Sequence, residues 1–143
     1  MTNALIGYGT EVWLDDDADT LTQLDECIAI SLPNSQVEDV EATHMLSPSR
    51  RREYIAGLID DGEGTFEFNL EPGGATDLLI QDAVDDGVAR DYEVIIPDGA
   101  FGQKFAGTCI VKGYERNVPI DDRMTATMTV RFTGAVTITT EVA

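Results

Sequence analysis

The stretch RMTATMTVRFTG, residues 123–134, alternates almost without error. Met124, Ala126, Met128, Val130 and Phe132 share one parity; Arg123, Thr125, Thr127, Thr129, Arg131 and Thr133 share the other. Successive side chains of a strand point to opposite faces, so the pattern predicts a strand with one apolar and one polar face. AVTITT keeps the parity through Val136 and Ile138. At about 3.3 Å per residue, the run from Arg123 to Ile138 approaches about 50 Å, far beyond the usual strand, with Gly134 as a point where it can break. The polar face holds hydroxyls and two arginines but no carboxylate. In a chain with 27 Asp and Glu against 9 Lys and Arg, that raises the question of what this face meets.

Working outward, the neighbouring segments read mostly as strands. GTEVWLDD predicts one over 10–14, and the acidic DDDADT a turn. ECIAISLP predicts a second, with Ile28, Ile30 and Leu32 on one face and Pro33 and Asn34 ending it. QVEDVEAT reads as a third. HMLSPSRRREYIAGLIDDGEG, residues 44–64, has no clean period and holds Pro48, Gly57, Gly62 and Gly64, so it reads as a long functional loop. TFEFNLEP, DYEVIIPDG and KFAGTCIVKGYE supply further strands. GGATDLLIQDAVDDG is the one helix, with Thr76 as its cap, Asp77 in its first turn, Gly87 at its end and Leu79, Ile80, Ala83 and Val84 as its apolar stripe. About seven strands, one helix and no repeat predict a mainly β fold. The expected form is a single domain over 1–143, an antiparallel sandwich or strongly bent sheet with one flanking helix.

Composition narrows the function. The net charge of −18 repels nucleic acid and anionic membranes. It suits a protein living in high salt, where charges are screened over about 3 Å at 1 M, or one past which DNA slides without sticking. Only Lys104 and Lys112 are lysine, which with the abundant aspartate points to a halophilic source. No apolar run nears the ~20 residues of a membrane span, and no secretory signal is expected at the N-terminus. Cys27 and Cys109 lie in apolar strand-like runs and read as buried thiols.

Chemistry finds little footing. There is no nucleophile elbow and no phosphate loop, and the single histidine, His44, has no nucleophile beside it. No enzyme, cofactor or metal is expected. Asp15, Asp17 and Asp19, with Glu26, fall at positions 1, 3, 5 and 12 of a calcium loop, yet Thr20 stands where glycine belongs and the flanks read as strands. A solvated turn is the expectation there. Arg50, Arg51 and Arg52 form the one basic cluster, inside the long loop. Arginine forks suit carboxylates, so the cluster, with Glu53 and Tyr54, is read as docking onto another copy of the same chain.

GYGTEVWL, SPSRRREYIAGLIDDGEGTFEFNLEPGG, YEVIIPDG and FAGTCIVKGYERNVPIDDRMTATMTVRFTG, taken in order, resemble the tail tube (major tail) protein family of lambda-like long-tailed (siphovirus-type) viruses. The resemblance covers nearly the whole chain. It implies a structural virion protein with a β-sandwich-like core, assembled in the host cytoplasm and ending in the virion tail. It further implies hexameric rings stacked around a tape measure protein, between tail terminator and distal tail proteins. The inner sheets of the subunits would join into one barrel, through which DNA passes without specific binding, and the long loop would reach the adjacent ring. The threonine face of residues 123–134 would then look at the lumen or at a subunit junction. The alternative reading is a small acidic β-sandwich module for calcium or carbohydrate.

Overall fold

A computed structural model describes residues 9–16, 18–97 and 101–142, with backbone alone for Phe101, Glu141 and Val142. In chain order the elements are β1 (Glu11–Asp15), β2 (Leu21–Leu24), β3 (Cys27–Ile30), β4 (Gln36–Glu41), a 3-10 turn (Pro48–Arg50), β5 (Tyr54–Asp60), β6 (Glu63–Asn69), α1 (Ala75–Asp86), β7 (Arg90–Ile96), β8 (Phe101–Asn117) and β9 (Thr125–Val142). Seven strands form one antiparallel sheet in the order β2-β1-β7-β8-β9-β6-β3; β4 and β5 pair apart from it as a hairpin.

The long β8–β9 pair is the spine of the sheet. It is hydrogen-bonded from the Asn117–Thr125 pair to the Phe101–Val142 pair. β7 pairs with its Gln103–Cys109 portion, whereas β6 pairs with Thr125–Arg131. The two halves of the sheet therefore grow from opposite ends and opposite sides of one ribbon. Bulges at Ala106/Thr108 and Val111/Gly113, and Gly134 at φ 74°, let that ribbon bend. Val12 and Leu14 of β1 and Phe66 and Phe68 of β6 have three strands between them in sheet order, yet all four are buried in one core. The sheet must curl over itself to bring them together, which is the bent sandwich expected from the sequence.

The alternation of residues 123–134 is realised. Ala126, Met128, Val130 and Phe132 are buried, joined by Cys109, Val111, Tyr92 and Val94. The Tyr92 and Phe132 rings meet at 5.3 Å between centroids, tilted by 51°. Ile138 keeps the same parity but is exposed, because the strand outruns the core. α1 lays Ile80 and Ala83 onto this core. Gly87, at φ 64°, closes the helix as expected, its N–H donating to the Ala83 carbonyl.

Three readings of the sequence are corrected. Gly74, not Thr76, stands at the helix cap; Thr76 lies within the first turn, and its hydroxyl accepts the Asp25 N–H at 3.0 Å. LTQL, too short to show a period, forms β2. Above all, much of 44–64 is not loop. β5 occupies 54–60, pairing with β4, and β6 begins at Glu63. The physical reason is that β5 has no polar face to alternate with. Ile55 and Ile59 hold one parity and Ala56 and Leu58 the other, and six of its seven residues are exposed.

Candidate assembly surface

The hairpin stands off the body of the chain. Every residue of β4 is exposed, as is every residue of β5 except Gly57. Its register sets Val37 opposite Ile59 and Val40 opposite Ile55; the bulge adds a residue to β5 between them, so one pair lies on one face and the other pair on the other. All four are exposed. Gly57 lies on the Val40 face: a Cβ there would come within 2.9 Å of Val40 Cγ2, 3.0 Å of the Glu38 carbonyl and 3.4 Å of Glu38 Cβ, so glycine lets Val40 lie flat beside Glu38. Asp39, Ala56, Glu41 and Tyr54 share the Val37–Ile59 face, and Gln36, Asp60, Glu38 and Leu58 the Val40–Ile55 face. A solvated hairpin has no reason to expose Val37, Val40, Ile55, Leu58 and Ile59 together; such a cluster marks a contact.

The base is pinned to the sheet. The Asn34 N–H donates to the Asp61 carbonyl at 2.9 Å, and the Ser35 hydroxyl to the buried Asp61 carboxylate at 2.6 Å. Arg131 donates to both oxygens of Asp60, at 2.9 and 2.8 Å. The Gly62 N–H, then Arg131, hold the Asp60 carboxyl below its usual range. This answers part of the question raised by the threonine face. Arg131 on that face is committed to the hairpin base, and β6 brings carboxylates alongside: Glu63 is opposite Arg131 and Glu67 opposite Thr127. Lys112 in turn binds Glu63. Thr125, Thr127 and Thr129 remain half-buried beside Asn69, Glu67 and Thr65.

The tip holds the predicted contact residues. Ser49 and Arg50 sit at φ 56° and 58°, in the left-handed region that non-glycine residues avoid. Glu53 braces this turn from within. Its carboxylate accepts the Ser47 hydroxyl at 2.8 Å and lies 3.3 Å from His44 Nε2, its N–H donates to Thr43 Oγ1, and its carbonyl accepts the Ala42 N–H. Arg50, Arg51 and Arg52 carry no ion pair among the described residues. By contrast Arg90 binds Asp82 and Asp86, Lys104 binds Glu93, and Arg116 binds Asp77 while lying 4.5 Å over the Tyr114 ring. Tyr54 opens β5, exposed, opposite Glu41.

Of the proposed calcium positions, the described ones, Asp15, Asp19 and Glu26, do not converge. Asp15 ends β1 nearly buried, and burial, then the charge of Asp91, pushes its carboxyl up. Asp17 lies outside the described residues. Asp16, not one of the predicted three, organises the turn by accepting the N–H groups of Ala18 and Thr20. Among the described residues no three His, Cys, Asp or Glu side chains meet to hold a metal, and no helix is long and apolar enough to cross a membrane. Both cysteines are free; Cys109 is buried, and Cys27 is half-buried with burial lifting its thiol to about 11.

Sequence reasoning found the charged tip and missed the apolar hairpin behind it. The available signal was the density of aliphatics in QVEDV and YIAGLI on either side of a polar turn. It also missed a groove of about 660 Å³ beside β3, lined by Cys27, Ile28, Ile30, Leu32, Val94 and Ile96 with Gly9, Thr10 and Ala29.

The profile of the lambda phage tail tube protein family matches residues 9–139. The chain belongs to that family. No curated protein sequence matches it. Among solved structures, the tail of an empty gene transfer agent particle, refined with C6 symmetry, is similar at a TM-score of 0.75 and 19% identity, over 95% of this chain and 99% of that one. The SPP1 tail tube is similar at 0.70 and 14% identity, over 98% of this chain and 81% of that one. A chain from the baseplate of the anti-feeding prophage gives 0.70 at 7% identity, over 97% of each. At these identities the likenesses are of fold: this tail tube family member shares its bent sandwich with those chains.

Proposed function

We propose that this structural, tube-forming virion protein assembles as six-fold rings, and that the β4–β5 hairpin with its arginine tip joins one ring to the next. The observation that carries this is the hairpin itself: exposed aliphatics on both faces and three arginines without an ion pair among the described residues, projecting from a fold that needs neither for its core. Arg50, Arg51, Arg52 and Tyr54 contact the neighbouring copy, with Glu53 holding the turn in shape. The cations meet carboxylates there, which a chain of charge −18 supplies on every side. The finished tube is a conduit for DNA, without catalysis or cofactor. It surrounds a tape measure protein and ends against terminator and distal tail proteins; caps and baseplates occur among the similar structures.

The test is negative-stain microscopy and pelleting of the parent chain beside an Arg50→Ala/Arg51→Ala/Arg52→Ala variant. An exposed pair is worth about 1 kcal/mol or less, whereas truncating one partner of a desolvated pair costs ~2–5 kcal/mol. The expected result is a folded monomer by circular dichroism with a critical concentration for tubes raised at least tenfold. A variant that pellets like its parent contradicts docking through the tip. A parent that stays monomeric at all concentrations, and melts higher with calcium, points to the binding module instead.

A further inference from the structure

The arginine tip needs a receptor, and the opposite end of the same chain offers one. β6 is paired with β9 from Glu63, opposite Arg131, to Asn69, opposite Thr125. The hairpin leaves the sheet at the first of these pairs, where the Asn34–Asp61 and Arg131–Asp60 contacts pin its base. The turn between β8 and β9, residues 118–124, closes the ladder just past the second. At about 3.3 Å per residue, about 20 Å of sheet separates the two. Hairpin and turn therefore lie at opposite ends of the β9–β6–β3 half of the sheet, as a head-to-tail contact between successive copies requires.

Both ends expose aliphatic side chains beside charges of opposite sign. Met45 at the tip and Ile120 at the turn are the two most exposed large hydrophobics among the described residues, and Leu46 and Val118 beside them are exposed as well. Arg50, Arg51 and Arg52 follow the first pair. Asp121 and Asp122 follow the second, both exposed and without an ion pair among the described residues, the turn's own Arg123 included. Asp122 accepts only the neighbouring Arg123 N–H, at 2.7 Å. Glu26, bound to Asn69 Nδ2 at 3.0 Å, adds a further carboxylate at this end. Val88 is also exposed beside carboxylates, but Asp82 and Asp86 there are already held by Arg90.

We propose that the hairpin tip of one copy docks on the β8–β9 turn of a copy in the next ring. This rests on the tube reading above and assigns the surface that receives the tip. Met45 and Leu46 pack against Val118 and Ile120, which removes all four from water. The arginines reach Asp121 and Asp122 around that contact, where the lower local dielectric strengthens the pairing.

Tubes assembled from mixed isotopically heavy and light copies of the Met45→Cys/Ile120→Cys chain are oxidised in air with a copper catalyst, and linked peptides are read by mass spectrometry. The Met45→Cys/Val88→Cys chain is the control. The expected result is heavy–light links from residue 45 to residue 120, at least tenfold above those from residue 45 to residue 88. Tubes that form without such links, or with equal links to residue 88, overturn the turn assignment and leave the tube reading standing. Failure of the parent chain to form tubes overturns both. A second measurement needs no thiol. Asp121→Lys/Asp122→Lys should leave the monomer melting temperature within a few degrees and reduce pelleted tube at least tenfold, although its smaller net charge by itself favours assembly. Adding Arg51→Glu/Arg52→Glu to that chain should restore tube to at least a third of the parent's yield. Undiminished tube from the first variant, or no restoration in the second, also overturns the assignment.

Discussion

Arg90 shows how a single residue ties the helix to the sheet. It is 5% exposed, donates to the Asp15 carbonyl at 2.9 Å, and binds Asp82 and Asp86 on α1 at 3.2 and 2.6 Å. Replacing it with Met keeps the stem but strands that carbonyl. The two aspartates are partly exposed and rehydrate, so the loss falls below the 3–5 kcal/mol of a fully buried pair. About 1–3 kcal/mol is expected, read as a lower urea midpoint. Carboxylates give opposite pH signatures. The Val88 N–H and then Arg90 hold Asp86 down; Asp77, against its own desolvation, is held down by Tyr114 and Arg116; and the Lys112 ammonium holds Glu63 down. Each is lower in the folded chain than in the unfolded one. Their stabilisation is present above the usual carboxylate range and lost as pH falls through the folded values. Asp15 is raised, so its charge works against the fold at neutral pH and ceases to do so in acid. Asp15→Asn, which keeps an acceptor, should therefore raise the urea midpoint at pH 7. The gain should vanish below about pH 4, and a constant gain at all pH would mean that packing, not charge, explains it.

At the scale of elements, legibility followed what each strand packs against. β6, β7 and β9 could be read because one face meets the core of their own chain and the other meets solvent or polar neighbours, so burial imprinted a period of two. β8 and β9 run further than their predicted limits because ladder pairing continues beyond the core, where no burial pattern marks the end. β5 could not be read as a strand, since neither of its faces is buried in its own chain. Arg50, Arg51 and Arg52 were legible as a site for a simpler reason, being a cation cluster in an acidic chain. The hairpin adds nothing to the core, and its ends are already joined through Asn34 and Asp61. Excising residues 36–60 and closing the gap with a short Gly-Ser turn should therefore leave the melting temperature within a few degrees of the parent. The same chain should yield no tubes. Collapse of the monomer fold on excision would show that the hairpin is part of the folding unit.

For the molecule as a whole, the charge of −18 sets the conditions of assembly. Repulsion between exposed charges is screened within about 10 Å at 0.1 M salt and about 3 Å at 1 M, while apolar contact strengthens with excluded salts. Tube yield, followed by light scattering, should rise with sodium chloride from millimolar to molar concentration. Steady dissolution over that range would mean that ion pairs at the arginine tip, rather than apolar contacts, hold the copies together. The β8–β9 ribbon has a mechanical consequence. Both halves of the sheet are hydrogen-bonded to the same two strands, and the core fills the fold between them, so the subunit has no internal joint at which to yield. A load on either half is carried by a ladder sheared along its length rather than peeled rung by rung. A tail made of such subunits takes up curvature between copies, and its stiffness is a property of the contacts between copies rather than of the domains themselves.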